Sequence, residues 1–371
     1  MADPTIQTFC CHRRTLPGSP DSILMEFHSD LYNSVCVVSS LLGIAGALHQ
    51  IHPQRHTNVI QRPLGDFVTR GRQIVVWLAV ADLLASLGVF FRSILWVFVR
   101  DLVPPISDTV SSVVFCAVIS AWIQFFYTAT WFWTLCYAVD VRRVLKSQGE
   151  CTICYHIIAW LSPAILTSVG LLILYLPHAH CHDIDTMSGA LTHIFPNYCA
   201  TFFPMAVIMI VNPILYCCST QDVRFIISVR LGQYTQRERN AVDGIKTKFL
   251  FIIITFYICW LPNLICGVLI WSIWLELPEK LIVSLWYVMA VMNPLQALLN
   301  TVVYRRWSGV GQHICSSCLP CGDSSSLSEY TPIHTLNEVE PVQGENTPLL
   351  QSQESELRSS RMSINGTLTE S

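Results

Sequence analysis

The stretch Thr109–Arg143, TVSSVVFCAVISAWIQFFYTATWFWTLCYAVDVRR, decides how the chain is read. From Val113 to Val139 it holds no Asp, Glu, Lys, Arg or His. A helix needs about 20 predominantly apolar residues to cross a bilayer, so this run is a membrane span with length to spare. At about 1.5 Å per residue Thr109–Val139 would reach about 46 Å against a hydrocarbon core of about 30 Å, which predicts a helix that tilts or protrudes at one end. Its two ends differ: Cys116 lies near one mouth, and Asp140-Val141-Arg142-Arg143 closes the other with one acid and two bases.

The rest of the composition agrees with this reading. Charged residues make up 13% of the chain and hydrophobic residues 52%, whereas an average soluble domain carries about 25% charged residues. A chain so poor in charge cannot coat itself with polar surface; the net charge of -3 says little about partners, and no nucleic acid is expected among them. Counting apolar runs gives seven spans, at about Leu31–Ile51, Gln73–Val99, Thr109–Val139, Ile153–Leu176, Pro196–Cys218, Phe249–Trp274 and Leu281–Tyr304. An odd number puts the two termini on opposite sides. The segments 52–72, 140–152, 221–248 and 305–306 hold fifteen Lys and Arg; 1–30, 100–108, 178–195 and 275–280 hold four. Positive charge stays cytoplasmic, so the N-terminus is expected outside or in a lumen and the tail in the cytosol. The expected organisation is an all-α membrane protein: an external N-terminus over 1–30, a seven-helix domain over 31–306, and a largely disordered cytosolic tail over 307–371.

Inside the spans a few residues break the apolar pattern. Asp82, in Leu78-Ala79-Val80-Ala81-Asp82-Leu83, falls near mid-membrane. There an acid faces the bundle and finds a partner, either as a functional group or as a protonated hydrogen-bonding group between helices. Pro262, in Cys259-Trp260-Leu261-Pro262, removes a backbone hydrogen bond and kinks the sixth span, and the large Trp260 before it can repack when the kink angle changes. Asn293-Pro294 places a second kink in the seventh span. Arg92 is the one cation inside a span; it either snorkels to water or anchors an acidic ligand group, since Arg matches a carboxylate bidentately.

Seven spans with LAVAD in the second, an outer Cys and inner Asp-x-Arg in the third, Trp160 in the fourth, CWLP in the sixth and NP in the seventh resemble a G-protein-coupled receptor over about residues 31–306. Thr8-Phe9-Cys10-Cys11, Trp122-Ile123-Gln124, Cys136-Tyr137-Ala138-Val139-Asp140, Asn212-Pro213-Ile214-Leu215 and the Tyr234-Thr235-x-x-Glu238-Arg239 segment resemble, more narrowly, the ocular albinism type 1 family of melanosomal receptors. That resemblance implies a receptor and no enzyme, with no cofactor. It implies a small-molecule ligand of the L-DOPA, tyrosine and dopamine type, a heterotrimeric G protein as partner, and a role in melanosome biogenesis and pigmentation. It also implies a Cys116–Cys181 disulfide. Asp140, Arg142 and Arg143 then stand at the G-protein face, beside a basic third cytoplasmic loop with Arg237, Arg239, Lys246 and Lys248, whose charge also serves topology. Asp82, Trp260, Pro262, Asn293 and Pro294 form the expected buried switch.

The sequence departs from the usual receptor pattern in two places. Val141, instead of Arg, follows the inner acid of the third span, and Ala297 stands where a Tyr usually follows the seventh-span proline by three residues. The position at which amine receptors carry an Asp falls on Ile123, beside Gln124. A zwitterionic aromatic ligand therefore suits an expected pocket of Arg92, Gln124, Tyr127 and Trp260 better than a bare amine does.

Sixteen cysteines lie mostly in spans, where they act as small apolar residues. Cys10 and Cys11 are external and could pair with each other, with Cys199 or not at all; Cys315, Cys318 and Cys321 beside Arg305-Arg306 suit palmitoylation better than a metal. His178, His180, His182 and His193 share one external loop, either simply solvated or sensing pH. In the tail, Tyr330-Thr331-Pro332-Ile333 and Glu345-Asn346-Thr347-Pro348-Leu349-Leu350 fit tyrosine-based and acidic dileucine sorting patterns that clathrin adaptors read in extended peptides. With the resemblance they predict residence in melanosome and late endosome or lysosome membranes, some at the plasma membrane, with arrestin and adaptors binding the tail. A retinal pump is excluded by the lack of Lys in 281–304. The remaining rival is an ion-coupled transporter, since a mid-membrane acid and Asn-Pro breaks also suit ion coupling, although no internal repeat is visible.

Overall fold

The computed structural model describes residues 6, 29–52, 62–98, 110–146, 151–175, 190–229, 236–272 and 279–310. Seven helical rods result: Ser29–Ile51, Arg62–Phe98, Val110–Leu145, then Thr152–His156 running through a π-helical turn at Ile157–Leu161 into Ser162–Tyr175, followed by Phe195–Val229, Gln236–Ser272 and Glu279–Val310. Their membrane-length apolar parts are Asp30–Ile51, Gly71–Phe98, Val114–Val144, Thr152–Leu174, Phe195–Asp222, Asp243–Ile270 and Lys280–Tyr304, hereafter the first to seventh spans. The seven expected spans are all present. The third helix, 36 residues long, is about 54 Å at helical rise, and it touches the second, fourth, fifth and sixth helices. It is the axis of the bundle.

Large apolar side chains such as Leu41, Ile165, Ile210, Ile258 and Val302 face outward, as lipid contact requires. Helices without a hydrophobic drive toward one another gain from close backbone approach, and two glycines supply it here. A Cβ on Gly43 would run into the Pro294 carbonyl oxygen, and one on Gly46 would stand 2.5 Å from the Leu298 Cα. The first and seventh spans therefore lie backbone to backbone. Ser39 donates to the Ala290 carbonyl at 2.6 Å and Thr301 to the Gly46 carbonyl at 2.8 Å, tying the same pair.

Buried residues gather in two apolar clusters, one toward each end of the bundle. The cluster toward the N-terminal face includes Tyr32, Val89, Ile123, Tyr127, Trp131, Trp260, Trp286 and Ile6. The cluster toward the opposite face includes Ile74, Leu78, Trp133, Tyr137, Tyr155, Phe249 and Ile252. At its side Trp160, in the π-helical turn, meets Trp77 and Trp133 edge to face, and the His156 ring stands edge-on to both of those indoles at 5.1 Å.

Two expectations change. The segment 221–248 is largely helix, because the fifth helix continues to Val229 and the sixth begins at Gln236, so Arg237, Arg239, Lys246 and Lys248 sit on a helix and not in a loop. Charged residues past the membrane still favour helix when the preceding span supplies the nucleus. The last helix likewise runs past Arg306 to Val310. Cys10, Cys11, Cys181, His178, His180, His182, Cys315, Cys318, Cys321, Tyr330, Ile333, Glu345, Leu349 and Leu350 lie outside the described residues.

Candidate functional site

The third span carries Gln124, Tyr127 and Trp131 at spacings of three and four, which places them along one side of the helix. Gln124 is buried, and its Nε2 donates to Thr201 Oγ1 at 2.7 Å and to Asn197 Oδ1 at 3.4 Å on the fifth span. Tyr127 meets the Trp260 indole edge to face with ring centroids 5.0 Å apart; Trp131 does the same from below at 4.9 Å. Among the described residues the Tyr127 hydroxyl and the Trp131 Nε1 have no hydrogen-bond partner. Arg92, half-buried, lies within electrostatic range of Tyr127. Of the four expected ligand residues, then, Tyr127 and Trp260 touch, Arg92 stands near them, and Gln124 is held by the fifth span. Asn197 and Thr201 are additions to the expected set, and no sequence motif marks them.

Below Trp260 a polar chain begins. Trp260 Nε1 donates to Gln296 Oε1. Four residues on, Asn300 Nδ2 donates to Asp82 Oδ2 at 3.2 Å, while Thr130 Oγ1 donates to Asp82 Oδ1 at 3.0 Å. Another four residues on, the Tyr304 ring lies under the Lys248 ammonium at 5.2 Å. Gln296, Asn300 and Tyr304 share one face of the seventh helix by their four-residue spacing. Asp82 faces the bundle, fully buried, and bridges the third and seventh spans.

The seventh-span contact of Asp82 lies away from the expected Asn293-Pro294 pair. Reading from Asn293-Pro294 finds Ala297 where a Tyr is sought, but the structure sets Asn300 against Asp82, two turns farther along, with Tyr304 four residues after it. Thr301 takes the place a proline would hold. The signal was present as polar residues at 296, 300 and 304, but the proline drew the reading to 294. Asn293 is buried as well, and Pro294 gives its carbonyl to the contact with Gly43.

At the opposite face Arg142 Nε pairs with Asp222 at 3.4 Å, and Lys146 Nζ reaches the same carboxylate at 3.2 Å. Asp222, at the end of the fifth span, is thus the acid paired with Arg142. Asp140 is 1% exposed and accepts from the Tyr155 hydroxyl at 3.2 Å. It borders a shallow cleft shared with Gln73, Trp77, Trp133, Thr152 and His156. The reason is helical phase: Asp140 and Arg142 are two residues apart and point about 200° apart around the helix.

Cys116 is disulfide-bonded. A second disulfide, Cys151–Cys154, closes the first turn of the fourth helix, a pairing that the Cys-x-x-Cys spacing permits and the sequence reading passed over. Among the described residues no group of three or more His, Cys, Asp or Glu could hold a metal ion.

Seven membrane-length helices, a central third span, and Asp82 joined to the seventh span define a seven-helix receptor fold of the G-protein-coupled type. Squid rhodopsin shares that fold with a TM-score of 0.54 at 14% identity, over 83% of this chain and 90% of the rhodopsin chain. The chain belongs to the ocular albinism type 1 protein family, whose model matches residues 1–347. It is 30% identical over 324 residues to human G-protein coupled receptor 143, spanning 83% of this chain and 78% of the human one. Over 161 residues, 40% of each chain, it is 24% identical to cyclic AMP receptor-like protein C of Dictyostelium discoideum. These relatives are receptors, not enzymes.

Proposed function

We propose that this receptor binds a small zwitterionic aromatic ligand of the L-DOPA type, with tyrosine and dopamine as related ligands, and drives nucleotide exchange on a heterotrimeric G protein. The observation that carries the reading is the position of Trp260. Tyr127 and Trp131 both meet its ring edge to face, and its Nε1 leads through Gln296 toward Asn300 and Asp82. A ring stacked on Tyr127 would press on Trp260, and any shift of Trp260 would be felt along the seventh span and at the Pro262 kink. Arg92 supplies the positive partner for a carboxylate, and Gln124 with Asn197 and Thr201 offers polar atoms to the amino and hydroxyl groups. The ligand works only through its different affinity for the two arrangements of that chain. On the opposite face the receptor's cytosolic work falls to Arg142, Arg143 and Asp140, with Arg237, Arg239, Lys246 and Lys248 on the sixth helix as the basic surface for the G protein. The tail stretches at Tyr330–Ile333 and Glu345–Leu350 would recruit clathrin adaptors and arrestin, keeping the protein in melanosome and lysosome-related membranes, where its role lies in melanosome biogenesis and pigmentation.

An Arg–carboxylate hydrogen bond contributes about 1.5–3 kcal/mol, so Arg92→Ala should weaken L-DOPA binding by at least about tenfold while surface expression stays intact. Unchanged binding removes Arg92 from the site. Ligand-dependent nucleotide exchange on purified G protein, set against uptake into proteoliposomes, separates the receptor from an ion-coupled transporter, the other activity that a buried Asp82 suits.

A further inference from the structure

Prolines interrupt the fifth helix at Pro213 and the seventh at Pro294. Each lacks the N–H that would have reached the carbonyl four residues back, that of Met209 in one helix and of Ala290 in the other. In hydrocarbon no water can take over such a carbonyl, so a donor has to come from the protein. Both times it comes from a neighbouring span. The Tyr257 hydroxyl of the sixth span donates to the Met209 carbonyl at 2.6 Å, and the Ser39 hydroxyl of the first span donates to the Ala290 carbonyl at 2.6 Å.

The two bonds sit in different company. The first and seventh spans already lie backbone to backbone at Gly43 and Gly46 and are tied again by Thr301, so Ser39 adds to a fixed pair. The fifth and sixth helices pack much more sparsely. Tyr257 also lies between the Pro262 kink and the Lys248 end of its helix, and its ring packs against both apolar clusters. At about 1.5 Å per residue it stands about 8 Å from the kink and Lys248 about 21 Å, so in a pivot about Pro262 the Lys248 end moves nearly three times as far as Tyr257. A hydrogen bond of 2.6 Å is lost once it stretches by about 1 Å. While the Tyr257 ring keeps its rotamer, the bond therefore limits the excursion at Lys248 to roughly 3 Å. We propose that Tyr257 is a positioning residue, a latch: its bond to the proline-freed Met209 carbonyl holds the Lys248 arm of the sixth helix against the fifth, and the arm swings about Pro262 only when that bond breaks. The pivot at Pro262 and the G protein that uses it rest on the reading given under Proposed function. One hydrogen bond shifts such an equilibrium roughly 2- to 10-fold, within reach of a ligand that prefers one arrangement to the other.

Lys248 reports the swing without ligand or G protein, because its half-buried ammonium lies over the Tyr304 ring at 5.2 Å and leaves it when the arm moves. Full-length receptor in mild detergent is treated with a charged amine-acylating reagent, and modification of Lys248 is scored by mass spectrometry against the exposed Lys280 as internal standard. Tyr257→Phe should raise the Lys248 rate about 2- to 10-fold. Pro213→Ala supplies an N–H that competes for the Met209 carbonyl, so it should raise the rate as well, and combining it with Tyr257→Phe should add little. Ser39→Ala strips the parallel bond from the first and seventh spans and should stay near wild type. An unchanged rate in Tyr257→Phe, an equal rise in Ser39→Ala, or fully additive effects of Tyr257→Phe and Pro213→Ala would overturn the latch. In the second arm, nucleotide exchange on purified heterotrimeric G proteins is followed without ligand, and Tyr257→Phe should raise it severalfold at equal receptor. A wild type that drives exchange beside a Tyr257→Phe variant that is no faster also overturns the latch. Faster reaction of Lys248 with no exchange in any form upholds the latch and defeats the G-protein reading.

Discussion

Toward the N-terminal face of the bundle, Tyr127 and Trp131 meet Trp260 edge to face at about 5 Å, in the same apolar cluster as Val89 and Ile123. Toward the opposite face, Arg142 and Lys146 converge on Asp222, Asp140 receives the Tyr155 hydroxyl, and Lys248 sits over Tyr304. The first half is held by buried area and ring geometry, which fall off smoothly as groups separate. The second adds to its own apolar cluster directional pairs of charges and hydrogen bonds, several of them part-exposed, which are individually weak and exchange partners readily. Asp82 joins the two through Thr130 and Asn300. A receptor gains from this division, since a ligand can be read by shape at one end while the other end changes partners at low cost.

The difference can be broken at three depths. Trp260→Ala removes the largest buried ring shared by the third and sixth spans. Truncations of this kind cost about 3–5 kcal/mol, so a drop in melting temperature on the order of 10 °C is expected in detergent, nearly independent of salt. A shift of only a few degrees would mean that the N-terminal half relies less on ring packing than its geometry indicates. At the junction, Asn300→Ala takes one of the two side-chain donors from the Asp82 carboxylate. Leaving a buried acceptor short costs about 1–3 kcal/mol, and ligand-stimulated exchange should fall with it while ligand affinity changes less. The sharper comparison is with Asn293→Ala: if that variant lowers the coupled response and Asn300→Ala does not, the junction lies at the Asn-Pro pair after all.

The smallest effect on stability is expected at the opposite face. Asp222→Asn dissolves a pair whose partners are 34% and 28% exposed, for which about 0–1 kcal/mol is typical, less at high salt. Its signature is functional: Arg142 and Lys146 are freed together, and basal nucleotide exchange should rise severalfold at equal expression. Asp140→Asn keeps a hydrogen-bond acceptor for Tyr155 and leaves Arg142 on Asp222, so it should raise basal exchange less. Equal elevation in the two variants would give Asp140 a share in the restraint.

Much of the fold was legible because membrane burial writes itself into the sequence as long apolar runs. The seven spans, the length of the third helix and the isolation of Asp82 and Arg92 follow from where charge is absent. Helix beyond the membrane was not legible: Gln236–Lys248 is polar, and without an apolar stripe it reads as loop. The site was legible one residue at a time. Trp260 and Tyr127 stood out as large rings beside a kink or on the central span, whereas Asn197, Thr201, Gln296 and Asp222 have no motif and earn their places only from what lies across from them.

Ile6 marks the limit most clearly, since a single isoleucine in a polar segment looks solvated until the apolar cluster it joins has been built. The sequence by itself determined that the chain crosses a membrane seven times and which rare polar residues the apolar environment would force inward, because the cost of an unpaired charge in hydrocarbon is a local property of each segment. Only the tertiary structure decided which partner each of those groups found, Asn300 for Asp82, Asp222 for Arg142, Gln296 for Trp260, because helical phase and the approach of the first and seventh spans at Gly43 and Gly46 set distances between residues that no spacing along one helix encodes.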